Sequence, residues 1–165
     1  MDQTVPAGIR RGCGPNPGAR GGLSAEFLRQ WRSSGQKGAQ RLLEQLCAWD
    51  IPIAVASSSP AAVVRGRLER VGLLQYFTAV ISGDMVGRSK PEPDIFLEAA
   101  RQLGSPAALC TVIEDSPNGL RASRRAGCRT LFVPDLWRPE EEHPELYDAR
   151  FADLDAVREF FAAEH

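Results

Sequence analysis

Nine residues, Thr111-Val112-Ile113-Glu114-Asp115-Ser116-Pro117-Asn118-Gly119, constrain this chain more than any other stretch. The apolar centre reads as a buried strand that stops at two adjacent carboxylates. Ser116-Pro117 then opens a helix, with a hydroxyl at the N-cap and proline at the first helical position. The acids therefore sit on a strand tip. In open α/β sheets that edge is where ligands bind, and a hard cation such as Mg²⁺ takes carboxylate oxygens there alongside substrate phosphate. Glu114 and Asp115 are candidate metal ligands on this reasoning. The competing reading is that Asp115 only helps Ser116 to cap the helix.

Other short apolar runs repeat the pattern. Asp50-Ile51-Pro52 turns the chain into Ile53-Ala54-Val55-Ala56, which ends on Ser57-Ser58-Ser59-Pro60, with Ser59 the expected N-cap and Ser57 at the strand tip. Val64, Leu68 and Val71 then stripe a helix closed by Gly72. Ala79-Val80-Ile81 forms a third run. After it Ser89-Lys90-Pro91-Glu92-Pro93 should be extended, because residues before proline leave the α region. Asp94 is the expected cap of a helix with Ile95, Phe96, Ala99 and Leu103 inward, stopped by Gly104. The helix after Ser116 runs to Ala126, and Thr130-Leu131-Phe132-Val133 is the fourth strand. A short extended piece near Arg150-Phe151 precedes a last helix carrying Leu154, Val157 and Phe160. Solid apolar strands alternating with helices predict a parallel sheet covered on both faces.

Bulk properties narrow the function. A chain of 165 residues fits one domain on the prior of about 100–200 residues each. A net charge of −1 gives no reason to expect nucleic acid or a membrane surface as partner. No apolar run approaches the ~20 residues of a bilayer span, and no signal-peptide core follows Met1. Cys13, Cys47, Cys110 and Cys128 are scattered and His143 and His165 are the only histidines, so a zinc site is not expected. Free buried thiols in a reducing cytoplasm are the simpler expectation. Residues 1–22 are rich in glycine, proline and arginine and show no apolar period; they should lack fixed structure. Helices are expected from Ser24 to Trp31 and from Gly38 to Trp49, the latter with Leu42, Leu43 and Leu46 on one face. The acidic stretch with Glu140, Glu141, Glu142 and Glu145 reads as solvated surface.

Three polar features fall at the same edge of one predicted sheet: Ser57 after one strand, Lys90 after the next, Glu114-Asp115 after the third. A hydroxyl donor, a cation and metal-binding carboxylates around one point suit a phosphoryl group with its charged oxygens. Taken singly, Ser57 could be a turn residue and Lys90 a solvated lysine. A phospho-receiver domain is disfavoured because the hydroxyl precedes the acids, and a dinucleotide-binding domain because no strand is followed by Gly-x-Gly-x-x-Gly.

The segments Ile-Pro-Ile-Ala-Val-Ala-Ser-Ser-Ser (51–59), Gly-Arg-Ser-Lys-Pro-Glu-Pro-Asp-Ile-Phe (87–96) and Val-Ile-Glu-Asp-Ser-Pro-Asn-Gly (112–119) resemble the second, third and fourth motifs of the haloacid dehalogenase superfamily. They are nearest its branch of beta-phosphoglucomutases and small-metabolite phosphatases. The resemblance covers roughly residues 38–135. It implies a three-layer α/β fold, a Rossmann-like parallel sheet flanked by helices. It further implies that Ser57, with Ser58 beside it, binds the transferring phosphoryl, that Lys90 neutralises it and holds the nucleophile's carboxylate, and that Asp115 with Glu114 holds Mg²⁺. Ser116 and Asn118 match positions that shape the loop around that metal. The implied ligand is a small phosphorylated metabolite.

The departures are specific. The family's opening apolar strand ending Asp-x-Asp-x-Thr, which supplies nucleophile and general acid/base, has no counterpart here; Asp2-Gln3-Thr4-Val5 imitates at most its second half. In the family that first strand lies at the sheet centre, between the strands that here are 53–56 and 111–113. The organisation implied is residues 1–22 without structure, 23–50 a helical remnant of the cap and its return, and 51–165 the core, in a shortened version lacking its central strand. The two flanking strands should then close on each other, or the N-terminal segment or a partner should fill the slot. Mg²⁺-dependent phosphoryl transfer from a small phosphomonoester is the expected chemistry, with little or no turnover by this chain. The alternative is a catalytically silent relative that works by binding.

Overall fold

The structure is a computed structural model that describes residues 38–134 and 143–164. The expectations for residues 1–37, including the helix near Ser24, and for Glu140–Glu142 lie outside the described residues.

The chain builds α1 (Ala39–Ala48), β1 (Ala54–Ser57), α2 (Ala61–Arg70), β2 (Ala79–Ser82), α3 (Asp94–Leu103), β3 (Thr111–Glu114), α4 (Pro117–Ala126), β4 (Arg129–Phe132), β5 (Ala149–Arg150) and α5 (Leu154–Glu164). All strand pairs are parallel, as the solid apolar runs require. The two-residue β5 is a fifth strand beyond the four strong runs. Helices cover both faces. Alternate residues of the strands feed the two sides: Ala54, Ala56, Ile81 and Val112 pack with Ile95, Phe96 and Ala99 of α3 and Ala122 of α4. On the other side Leu131 and Ile113 meet Leu42 of α1 and Val157 of α5. Ile53 meets Ala39 and Leu43 of α1 with Leu68 of α2.

The helix boundaries correct three local expectations. Pro60 and Pro93, not Ser59 and Asp94, occupy the N-cap positions, with no side-chain cap. The reason is that better partners exist: Asp94 accepts from the Arg88 guanidinium at 2.8 Å, and the first amide of α2, Ala61 N–H, is 3.5 Å from Asp84 Oδ2. Residues 89–93 are not extended. Glu92 N–H donates to Ser89 O at 3.0 Å, closing a turn about a cis Lys90–Pro91 bond; a cis proline at the third turn position gives this shape. Ser116 does cap α4, accepting Gly119 N–H at 3.1 Å, and Gly127 ends it in the left-handed region at φ 76. Cys110 and Cys128 are free thiols, whereas Cys47 is disulfide-bonded and departs from the expected free thiols. Burial, with Cys110 nearby, pushes the Cys128 thiol up to about 11, so it is inert at neutral pH.

The strands form two sheets, β1-β2 and β3-β4-β5. β1 and β3 do not close on each other. In an extended strand a residue's N–H and C=O project to the same edge, so the ladder bonds reveal which residues face outward. Thr78 N–H donates to Ile53 O at 2.7 Å, so Ile53, Val55 and Ser57 face β2, and Ala54 and Ala56 face away from it. Arg129 N–H donates to Cys110 O at 3.0 Å and Val133 N–H to Glu114 O at 2.9 Å, so Thr111 and Ile113 face away from β4. Among the described residues no strand pairs with either outward edge. Two helices hold the halves together. α1 sends Leu42 to the β4 side and Ala39 and Leu43 to the β1 side. Opposite it, α3 packs on β1 and β2 and against α4.

Beneath α4, Ser123 Oγ and Thr130 Oγ lie 2.7 Å apart and both residues are fully buried. Thr130→Val strands the serine hydroxyl without a partner and should cost about 1–3 kcal/mol. Adding Ser123→Ala should recover part of that loss, in a double-mutant cycle read by urea unfolding.

Candidate active site

The C-terminal ends of β1 and β3 converge on one ammonium. Lys90 Nζ forms an ion pair with the Glu114 carboxylate, donates to Ala56 O at 3.4 Å and lies 4.8 Å above the centre of the Phe96 ring. The Lys90 and Glu114 side chains are only 11% and 9% exposed, so the ion pair is largely desolvated and a lone member would be costly. Glu114 is held at both oxygens. Oε1 meets Lys90, while Oε2 accepts Asp115 N–H at 2.9 Å, Ser116 N–H at 3.0 Å and Ser116 Oγ–H at 3.0 Å. Burial disfavours its charge, but the charge and hydrogen bond of Lys90, with the amide and hydroxyl of Ser116, outweigh that and hold the carboxyl below its ordinary value.

Ser57, Ser58, Lys90, Glu114, Asp115, Ser116 and Asn118 line a single cavity of about 610 Å³. All seven residues singled out from the sequence meet there. Ser57 Oγ accepts Ser59 N–H at 3.2 Å, which fixes the side chain and leaves its O–H proton to donate. Lys90 has three N–H donors, and Glu114 and Ala56 O account for two. The N-terminal turn of α4 completes the wall, and its partial positive charge favours an anion.

The sequence reading assigned no role to three residues that the structure places here. Gly119 is buried, and a Cβ on it would overlap the Glu114 carboxyl, so the glycine makes the room in which the ion pair sits. A Cβ on Gly83 would overlap the Ser58 carbonyl, so the loop after β2 presses against the serine loop. Arg121, exposed on α4, joins the cavity lining and touches Asn118 Oδ1 at 3.5 Å. Gly119 closes the quoted motif, so its place was visible; the contacts of Gly83 and Arg121 depend on tertiary packing.

A parallel α/β layer with a hydroxyl, an ammonium, carboxylates and a helix N-terminus gathered at one sheet edge belongs to the class of open α/β folds whose ligands bind outside the carboxyl ends of the strands. The sequence pattern of the haloacid dehalogenase-like hydrolases matches residues 24–133, and the chain belongs to that family. It is 39% identical over 107 residues to the bifunctional riboflavin kinase/FMN phosphatase of Arabidopsis thaliana, covering 64% of this chain and 28% of that protein. It is 41% identical over 82 residues to the fructose-1-phosphate phosphatase of Escherichia coli, covering 50% and 44%. The fold superposes on CbbY of Rhodobacter sphaeroides, crystallised with phosphate, with a TM-score of 0.68, 30% identity and coverage of 74% and 55%. The chain thus spans about half or less of these relatives. Among the described residues no helix is long and apolar enough to cross a membrane.

Glu114→Gln leaves the Lys90 ammonium buried without its counter-charge and should cost about 3 kcal/mol at neutral pH. Because the glutamate pKa is depressed in the folded state, its contribution is present above the unfolded value and is lost as pH falls through the folded one. Urea unfolding should therefore show the two proteins converging at acid pH. Gly119→Ala should destabilise as well, by displacing the same carboxylate.

Proposed function

We propose that this chain carries the phosphate-handling half of a Mg²⁺-dependent phosphomonoester site and binds the phosphate of a small metabolite with little turnover of its own. The carrying observation is the convergence of Ser57, Lys90 and the N-terminal turn of α4 on the cavity that Asp115 also lines. Ser57 donates its hydroxyl proton to one phosphoryl oxygen. Lys90 offers its remaining N–H to another, its position fixed by Glu114, Ala56 O and the Phe96 ring. The α4 terminus adds its dipole to the same charge.

The donor set suits Mg²⁺ in one form. That ion commonly uses one or two protein carboxylates together with substrate phosphate and water. Asp115, exposed at the mouth of the cavity, would hold the ion directly, and Glu114, bound to Lys90 and to the Asp115 and Ser116 amides, would orient its neighbours. When bound, Mg²⁺ polarises the phosphoryl oxygens and offsets their charge. Two relatives, a bifunctional riboflavin kinase/FMN phosphatase and a fructose-1-phosphate phosphatase, support a small phosphomonoester as the ligand class. Low turnover follows from the acids. Glu114 is bound on both oxygens, and the cavity lining holds no further carboxylate among the described residues besides Asp115, which the metal reading already uses. A nucleophile and a general acid/base cannot both be drawn from that set.

Isothermal titration with inorganic phosphate and Mg²⁺, run beside a para-nitrophenyl phosphate assay, tests the reading. Binding weakened about tenfold by Ser57→Ala, the order of one hydrogen bond to a charged ligand, and negligible hydrolysis are expected. Hydrolysis at family-like rates, abolished by Asp115→Asn, would mean that a nucleophile has been overlooked. Phosphate affinity indifferent to Ser57 would remove the binding site, leaving a silent scaffold.

A further inference from the structure

The cavity that holds Ser57 and Lys90 reaches past them to Arg121, on the second turn of α4. We propose that Arg121 makes this site selective for a small metabolite that carries a second anionic group, a carboxylate or a further phosphate, on the same molecule as the phosphoryl. The inference rests on the phosphate reading above and adds which metabolites are favoured.

Arg121 is set apart first by its partner. α4 carries three arginines. Arg124 donates to Asp148 Oδ1 at 2.7 Å and Arg125 to Glu92 Oε1 at 2.7 Å. Arg88, Arg101 and Arg129 likewise hold carboxylates, at 2.8, 2.6 and 2.7 Å. The partner of Arg121 among the described residues is instead the neutral Asn118 Oδ1, at 3.5 Å. A guanidinium has five N–H donors in a planar fork that matches an oxyanion at two points. One contact at the outer limit of hydrogen-bond length leaves most of that fork to a ligand. Asn118 is three residues earlier on the same helix face, and with its Oδ1 turned to the arginine its amide nitrogen remains as a further donor.

Position and size point the same way. Ser57 stands at the tip of β1, and Lys90 is bound to Ala56 O and Glu114 at the strand ends. Arg121 is four residues past Pro117, about 6 Å further along the axis of α4. A phosphoryl held by Ser57 and Lys90 therefore leaves the guanidinium to a different group of the same ligand. The cavity of about 610 Å³ falls in the range of roughly 300–1,000 Å³ of sites that enclose a whole small ligand, well beyond what a phosphate fills. Lys90 is already neutralised by Glu114, so Arg121 is the cation of this lining whose charge no described residue in contact with it offsets.

The test is isothermal titration of the full 165-residue chain in Mg²⁺ with propyl phosphate, 3-carboxypropyl phosphate and propane-1,3-diol bisphosphate. The parent protein is compared with Arg121→Gln and Arg65→Gln. Arg121 is exposed, and glutamine is as good a helix former, so the fold is kept. Arg65 is exposed on α2 outside the cavity lining, so its substitution removes the same charge from elsewhere. At least one two-anion probe should bind the parent about tenfold more tightly than propyl phosphate, a gain kept in Arg65→Gln and reduced below about threefold in Arg121→Gln, the order of a hydrogen bond between charged groups. The probe that gains tells carboxylate from phosphate. Equal binding of all three probes, with inorganic phosphate still weakened by Ser57→Ala, would overturn the inference and leave the phosphate site standing. So would a gain that survives Arg121→Gln or that Arg65→Gln removes equally. No binding of inorganic phosphate or of any probe would remove the phosphate site and this inference with it.

Discussion

Lys90 ties together two strands that have no hydrogen bond to each other. Its ammonium takes the last outward carbonyl of β1 and the carboxylate that ends β3, so one charged group spans the break in the sheet at the edge where the cavity lies. Helices α1 and α3 bridge the same break from the two faces, but their contacts are apolar and nondirectional. The ion pair is directional. It sets how far apart the strand tips sit, and with them Ser57 and Asp115. The desolvation of both charges is the physical reason it cannot be loosened piecemeal: losing either partner leaves the other buried and unpaired.

The same pair explains why the two adjacent acids at the end of β3 differ in chemistry. Glu114 is the last residue of the strand and faces β4 through its backbone, and its side chain is enclosed by Lys90 and the opening turn of α4. Asp115 follows in the turn and is exposed. One carboxylate is used to build the site and the other lines its mouth. Gly119 is what makes this division possible, because the first turn of α4 can approach the Glu114 carboxyl only where no Cβ intervenes.

Most of this could be read from the residues in order. The apolar runs at 53–56, 79–81, 111–113 and 130–133 each became a strand within one residue of the expected bounds, because short solid runs flanked by caps and prolines admit few other structures. Gathering Ser57, Lys90 and Asp115 at one edge followed from strand order alone, since parallel strands put every C-terminal tip on the same side. The errors lie where long-range partners outbid local rules. Asp94 found Arg88 instead of a helix terminus, and the stretch 89–93 closed into a turn that pairwise residue preferences did not specify. The partition of Glu114 and Asp115 was likewise hidden, because nothing local says which of two adjacent acids will meet a lysine 24 positions away.

The slot and the site are one mechanical unit. The gap between the two sheets, about 1070 Å³, is an open cleft that water can enter. Water can satisfy the outward amides of Ala54, Ala56, Thr111 and Ile113, but it gains nothing from Leu42, Phe96 or Ile113 side chains, so the wet state keeps apolar surface exposed on both faces of the break. Because Ala56 O and Glu114 stand at the end of the slot and also hold Lys90, the ammonium closes the break at the edge where the cavity lies. The geometry of the candidate site is thus fixed across the break by Lys90 and not by backbone pairing.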